Sequence, residues 1–165
     1  MSKDDKIKIF AKMFSDSIIS YRDKDMKRIK EEWDYEIVDK TMCPNYILLY
    51  YSWLFSRAMQ KVKPENWKEL LDKTHYYLWD SGSNLTIDEF NKLAKKLYPE
   101  FTTALEDRLS GNCVFPEVGA TLCRLCFGEE YTGIDAAMFY DQVTFMQLET
   151  QIDMIKEIIH LDAFD

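Results

Sequence analysis

The sequence predicts an all-α fold. Three observations carry that expectation. Apolar residues recur at three- and four-residue spacing over most of the chain, no segment of four to eight residues alternates cleanly with period two, and valine occurs only at positions 38, 62, 114, 118 and 143. The 165 residues, 47% hydrophobic and 15% aromatic, suit one domain with enough apolar material to form a core without staples. The expectation is therefore a single domain over residues 1–165, of roughly six to eight helices packed around a central apolar one.

Ile7, Phe10, Phe14, Ile18 and Tyr21 share one face of a first helix, opposite Lys6, Lys8, Lys12 and Asp16. Met26, Ile29, Trp33 and Ile37 continue the stripe, with Asp23 and Asp25 placed where acids favour a helix N-terminus. One bent helix and two separate helices both fit this pattern. Pro44 stands where a helix start tolerates a missing N–H. The run that follows, Tyr-Ile-Leu-Leu-Tyr-Tyr-Ser-Trp-Leu-Phe, is apolar nearly all round, the pattern of a helix covered on every side. It is expected to be the central helix, over about residues 44–60.

Pro64 opens an amphipathic run through Trp67, Leu70, Leu71, Thr74 and Leu78, which the turn Asp80-Ser-Gly-Ser-Asn84 ends. Thr86 and Glu89 form a capping box, each side chain satisfying an orphan backbone donor of a new helix. Ile87, Phe90, Leu93, Ala94 and Leu97 supply its inner face, and Pro99 is expected to limit it. Shorter helices are expected over 100–109 and 117–127, the second closed by Gly128. From Asp135, the series Phe139, Val143, Met146, Leu148, Ile152, Ile155 and Ile159 marks a long final helix, with Asp141 the place where it would break.

Each constellation that could carry chemistry has a plainer reading. The segment from Asp80 resembles a calcium loop, but loop position six would be Leu85 and position twelve Asn91, where that loop needs glycine and a bidentate glutamate. Cys123 and Cys126 have metal-like spacing, with Cys113, Cys43 or His160 to complete a set. They sit in an apolar helical stretch, where cysteine behaves as a small hydrophobe. The four cysteines are thus expected to be free thiols, with no metal and no cofactor. His75 and His160 belong to no catalytic pattern, and no nucleophile motif or glycine-rich phosphate loop is present, so an enzyme is not expected. Tyr50, Tyr51, Trp53 and Phe55 are expected in the core rather than around a ligand.

The first residues, Met-Ser-Lys-Asp-Asp-Lys, contain no apolar run of the kind a secretory leader needs, and no stretch approaches the ~20 apolar residues of a membrane span. A cytoplasmic setting, where thiols stay reduced, is the expectation.

Charge is the most informative feature. Residues 1–98 hold 18 Lys and Arg against 16 Asp and Glu, whereas residues 99–165 hold only Arg108, Arg124 and Lys156 against 13 acids. The net values, +2 and −10, account for the overall −8. Such acidity disfavours direct binding of nucleic acid or an anionic membrane, both of which call for Lys and Arg. It favours a basic protein partner. The expected contacts are Glu129, Glu130, Tyr131, Asp135 and Asp141, around the connection from Gly128 to Gly133. On this reading the chain is an acidic, non-catalytic inhibitor, an immunity protein that masks the active or substrate-binding surface of a basic, nuclease-type bacterial toxin. The alternative is a helical adaptor or regulatory subunit that binds another basic protein.

Overall fold

Ser2 begins the first helix by accepting the Asp5 N–H on its Oγ at 3.2 Å, while the Asp5 carboxylate accepts the Ser2 N–H at 3.2 Å. The structure, a computed structural model, describes residues 2–111, 116–131 and 133–160. Within them lie six helices and no strand: α1 (Lys3–Arg28), α2 (Cys43–Val62), α3 (Trp67–Gly82), α4 (Ile87–Leu109), α5 (Glu117–Phe127) and α6 (Asp135–His160). None of them is long and apolar enough to cross a membrane.

The central helix is α2. Every residue from Ile47 to Ser56 is buried, so no side of this stretch meets water. Helices α1 and α3 pack against each other and against α2, and α4, α5 and α6 complete the cover. The aromatic residues expected in the core are there, with Tyr50, Tyr51, Trp53 and Phe55 at most 2% exposed. Their polar atoms are answered, as burial requires. Trp53 Nε1 donates to Thr102 Oγ1 at 3.0 Å, and the Tyr50 hydroxyl bonds with Thr144 Oγ1 at 2.7 Å.

Several expected boundaries hold. Pro44 lies in the first turn of α2, and the capping box at the start of α4 is formed, with Thr86 N donating to Glu89 Oε2 at 2.9 Å. Gly128, at φ 101°, closes α5 by donating its N–H to Arg124 O.

Elsewhere the structure departs from the expectation. Residues 3–28 form one unbroken helix, which ends in a π-helical turn over Ile29–Trp33 and a left-handed Asp34 at φ 52°. Asp25 therefore caps nothing; it is 3% exposed, inside the molecule. Lys6, placed on the polar face by its spacing, is buried too. Pro64 precedes α3 within a turn, and the helix itself begins at Trp67. Pro99 does not end α4, which runs ten residues beyond it. The bond its missing N–H forfeits is to Lys95 O, on the solvent side, while Leu97 and Phe101 are both fully buried and hold the helix down across it. Helix α6 likewise passes Asp141 unbroken. Met146, assigned to its inner face, is 67% exposed, and Tyr140 and Thr144 take the inner positions.

Candidate functional site

The acidic C-terminal stretch is largely gathered in space, because α5 packs on both α4 and α6, and α6 meets α1 only near its start, where Arg28 lies over the Phe139 ring. Of the eleven acids described between residues 99 and 158, nine are exposed: Glu100, Glu106, Asp107, Glu129, Glu130, Asp135, Glu149, Asp153 and Glu157. The two arginines of this stretch are engaged elsewhere. Arg108 Nε lies 3.5 Å from Asp141 Oδ2, and Arg124 Nη2 lies 3.5 Å from Glu117 Oε2. Lys156 is the one exposed base against nine exposed acids, and among the described residues none of the nine makes an ion pair.

Three of these acids line a groove of about 500 Å³ between α4 and α5. Glu100 and Asp107, seven residues apart, line its α4 wall; Glu117, Arg124 and Leu125 line the α5 wall; Glu129 stands where the chain leaves α5. Arg124 answers Glu117, so Glu100, Asp107 and Glu129 give the groove a net negative charge with no local cation to offset it. Its lining joins Pro99, Ala104 and Leu125 to these acids, a combination that matches a lysine or arginine side chain, whose methylene stem is apolar and whose head is charged.

The five residues singled out by sequence separate into two groups. Glu129, Glu130 and Asp135 are exposed, Glu129 on the groove and Asp135 in the first turn of α6. Asp141 and Tyr131 turn inward. Asp141 is 9% exposed and faces Arg108, so little of its carboxylate is open to solvent. Tyr131 is half-buried, its ring 5.4 Å from both Tyr35 and Phe127, where it pins the connection against α5. Gly133 leaves room for this arrangement: a Cβ there would meet the Tyr35 and Tyr131 hydroxyls at 2.7 and 2.9 Å. Sequence reasoning missed Glu100, Asp107 and Glu117. The seven-residue spacing of the first two was the available signal, but the pairing of α4 with α5 was not.

Two clusters that join α2 to its neighbours have different characters. Tyr51 donates to Asp25 Oδ2 at 2.6 Å and Arg28 Nη1 to Asp25 Oδ1 at 3.1 Å. Burial pushes the Asp25 carboxyl above its ordinary range, and its bond from Tyr51, the nearby Tyr140 hydroxyl and the Arg28 charge oppose that rise. With both oxygens engaged inside the core, the carboxylate ties α1 to α2 rather than meeting a substrate. Cys43, Cys123 and Cys126 form the second cluster, all buried and free. Burial raises the Cys123 thiol to about 12 and Cys126 well above its ordinary value. Thiols held protonated at neutral pH are poor nucleophiles and poor metal ligands. Among the described residues no group of three His, Cys, Asp or Glu side chains is gathered as a metal would need. Cys113 and the His160 side chain lie outside the described residues.

No family model, no curated protein and no solved structure matches this chain.

Proposed function

We propose that the chain is an acidic, non-catalytic inhibitor of a basic protein, acting as an immunity protein that masks the substrate path of a nuclease-type toxin in the cytoplasm. The observation that carries this reading is the unpaired state of the acids. A surface with nine exposed acids and one exposed lysine, its arginines engaged elsewhere, keeps its field for a partner. Clustered charge of this kind raises association rates by about 10- to 1000-fold at low salt. A nuclease is itself cationic where it grips phosphate, so an acidic groove competes for the same lysines and arginines. In this reading a basic side chain of the partner enters the groove among Glu100, Asp107 and Glu129, and Glu130 and Asp135 extend the contact.

The test begins with a pull-down from the native host to obtain the partner. The partner's cleavage of DNA and RNA is then measured with and without the chain. Stopped-flow association across a salt series compares wild type with Glu129→Lys/Glu130→Lys. Stoichiometric inhibition, with association slowed about 10-fold or more by the double substitution at low salt, is expected. A partner with an acidic binding face, or rates indifferent to salt and to both substitutions, would sink the reading.

A further inference from the structure

We propose that the outer face of α6, centred on Met138, Phe145 and Met146, is the apolar anchor of the same docking surface. Its occupant is a protein surface with an apolar centre and a rim of lysine and arginine. This inference rests on the acidic-face reading above and adds to it the part that charge alone does not supply.

The argument starts from the outer face of α6. Its inner face buries Ala136, Ala137, Tyr140, Ile152 and Ile155, together with Asp141 and Gln151, whose Oδ1 and Oε1 have no hydrogen-bond partner. Its outer face carries Met138, Phe145 and Met146, at 46%, 37% and 67% exposed, and Ile134 just before the helix is 49% exposed. A helix that serves only its own domain turns its apolar residues inward. Here the inner face is already filled by apolar residues, and further large apolar ones face water. Among the described residues, four of the nine exposed large hydrophobic side chains fall within residues 134–146, so they form a patch and not a scatter. Met138 and Phe145, seven residues apart, point the same way, and the flexible thioethers of Met138 and Met146 adapt to a partner's contour.

The charges around the patch decide what covers it. Asp135, Glu149 and Asp153 are exposed on the same helix, and Lys156 is the one base among its exposed residues. A second copy of this chain docking face to face would bring these acids against their own counterparts. An anionic membrane would meet the same repulsion. A partner with a lysine and arginine rim around apolar residues matches both components, which is the usual anatomy of an interface hot spot inside a polar ring.

The test uses two synthetic peptides of equal positive charge. One is an amphipathic helix with leucines on one face flanked by lysines; the other has serine in place of each leucine. The chain carries ¹³C-methyl methionine, so binding is located by which methyl signals move. The expected result is that the leucine peptide binds about 10-fold more tightly than the serine peptide or better. It should shift Met138 and Met146 while sparing Met13 of α1, itself 45% exposed, and buried Met59. Met138→Ser/Phe145→Ser should reduce the leucine peptide to the affinity of the serine peptide and leave the serine peptide unchanged. Met146→Ser, at the most exposed of the three positions, repeats the test should Phe145→Ser lower the melting temperature. Equal affinities for the two peptides, or shifts centred on Met13, overturn the anchor while the acidic-face reading stands. Failure of both peptides to bind at low salt removes both readings. Concentration-dependent dimerisation in sedimentation, abolished by Met138→Ser, would make a second copy the occupant and likewise overturn the proposal.

Discussion

On the α1–α3 side of the central helix, acids and bases are nearly balanced in number. Eight of the ten ion pairs among the described residues lie there, from Asp4 with Lys8 and Lys73 to Arg28 with Asp25 and Glu32. On the α4–α6 side there are two, and both draw on the arginines that would otherwise neutralise the surface. The two sides share one core and differ in what their surfaces leave undone. Exposed pairs of the first kind contribute little stability, typically about 0–1 kcal/mol each. Their effect is to leave that surface electrostatically quiet, while the other side keeps a field directed outward.

The close packing of the two sides differs as well, and this gives the largest predicted effect. Gly119 of α5 lies so near α6 that the three atoms nearest an added Cβ would all be backbone of Ala137, its carbonyl oxygen first. At Gly82, on the other side, a Cβ would meet the Ile19 and Leu48 side chains at 3.0–3.2 Å, and these can shift. Gly119→Ala should therefore cost about 3 kcal/mol or more, and Gly82→Ala about 1 kcal/mol, within the range for overpacking. Denaturant melts of the two variants measure this directly. Equal losses would mean that α5 and α6 can slide apart as freely as side chains rotate.

A smaller contrast lies in the ion pairs themselves. Arg108→Ala leaves Asp141 buried without its cation, and should cost about 1–3 kcal/mol. Lys12→Ala breaks the exposed pair with Asp16, whose side chains are 52% and 56% exposed, and should cost less than about 0.5 kcal/mol. If the two variants melt alike, Arg108 and Asp141 are no more coupled than a surface pair.

The smallest effect concerns pH and belongs to the α3 side. His75 Nε2 lies 2.9 Å from Asn91 Oδ1, and burial holds the ring below its ordinary value of 6.5. The unfolded chain then binds more protons than the folded one between the depressed value and 6.5, so stability falls as pH drops through that window. His75→Gln should flatten the melting temperature between about pH 7 and pH 5.5. Asp25 works in the opposite sense at lower pH. Its carboxyl is raised, so the folded state binds the extra proton and its contribution grows as pH falls toward 3.8. A profile unchanged by His75→Gln would place the acid sensitivity elsewhere.

What could be read from sequence follows the range of the interactions concerned. The capping box of Thr86 with Glu89, the start of α2 at Pro44 and the end of α5 before Gly128 are set by neighbours within four residues. The charge asymmetry was visible because counting needs no geometry. The direction of each side chain was not. Tyr131 and Asp141 share the acidic stretch with Glu129 and Glu130, yet the first packs on Tyr35 and the second faces Arg108, partners 96 and 33 residues away. Asp25 looked like a helix-start acid because Tyr51, which receives it, lies on another helix. Pro99 misled for a similar reason: one lost backbone bond is a local cost, and the burial of Leu97 and Phe101 that outweighs it is tertiary.

The complete burial of the middle of α2 also bears on how the molecule comes apart. Both sides lean on the same ten residues from Ile47 to Ser56, so neither has a private core to fall back on. A cut near residue 98 would separate the charge regions neatly on paper, but the first fragment would keep α2 with one flank stripped, exposing Tyr50 and Trp53 to water. The acidic fragment would lose the helix against which α4, α5 and α6 are assembled. Unfolding should accordingly be a single cooperative event, and the asymmetry of the surface rests on an interior that cannot be divided.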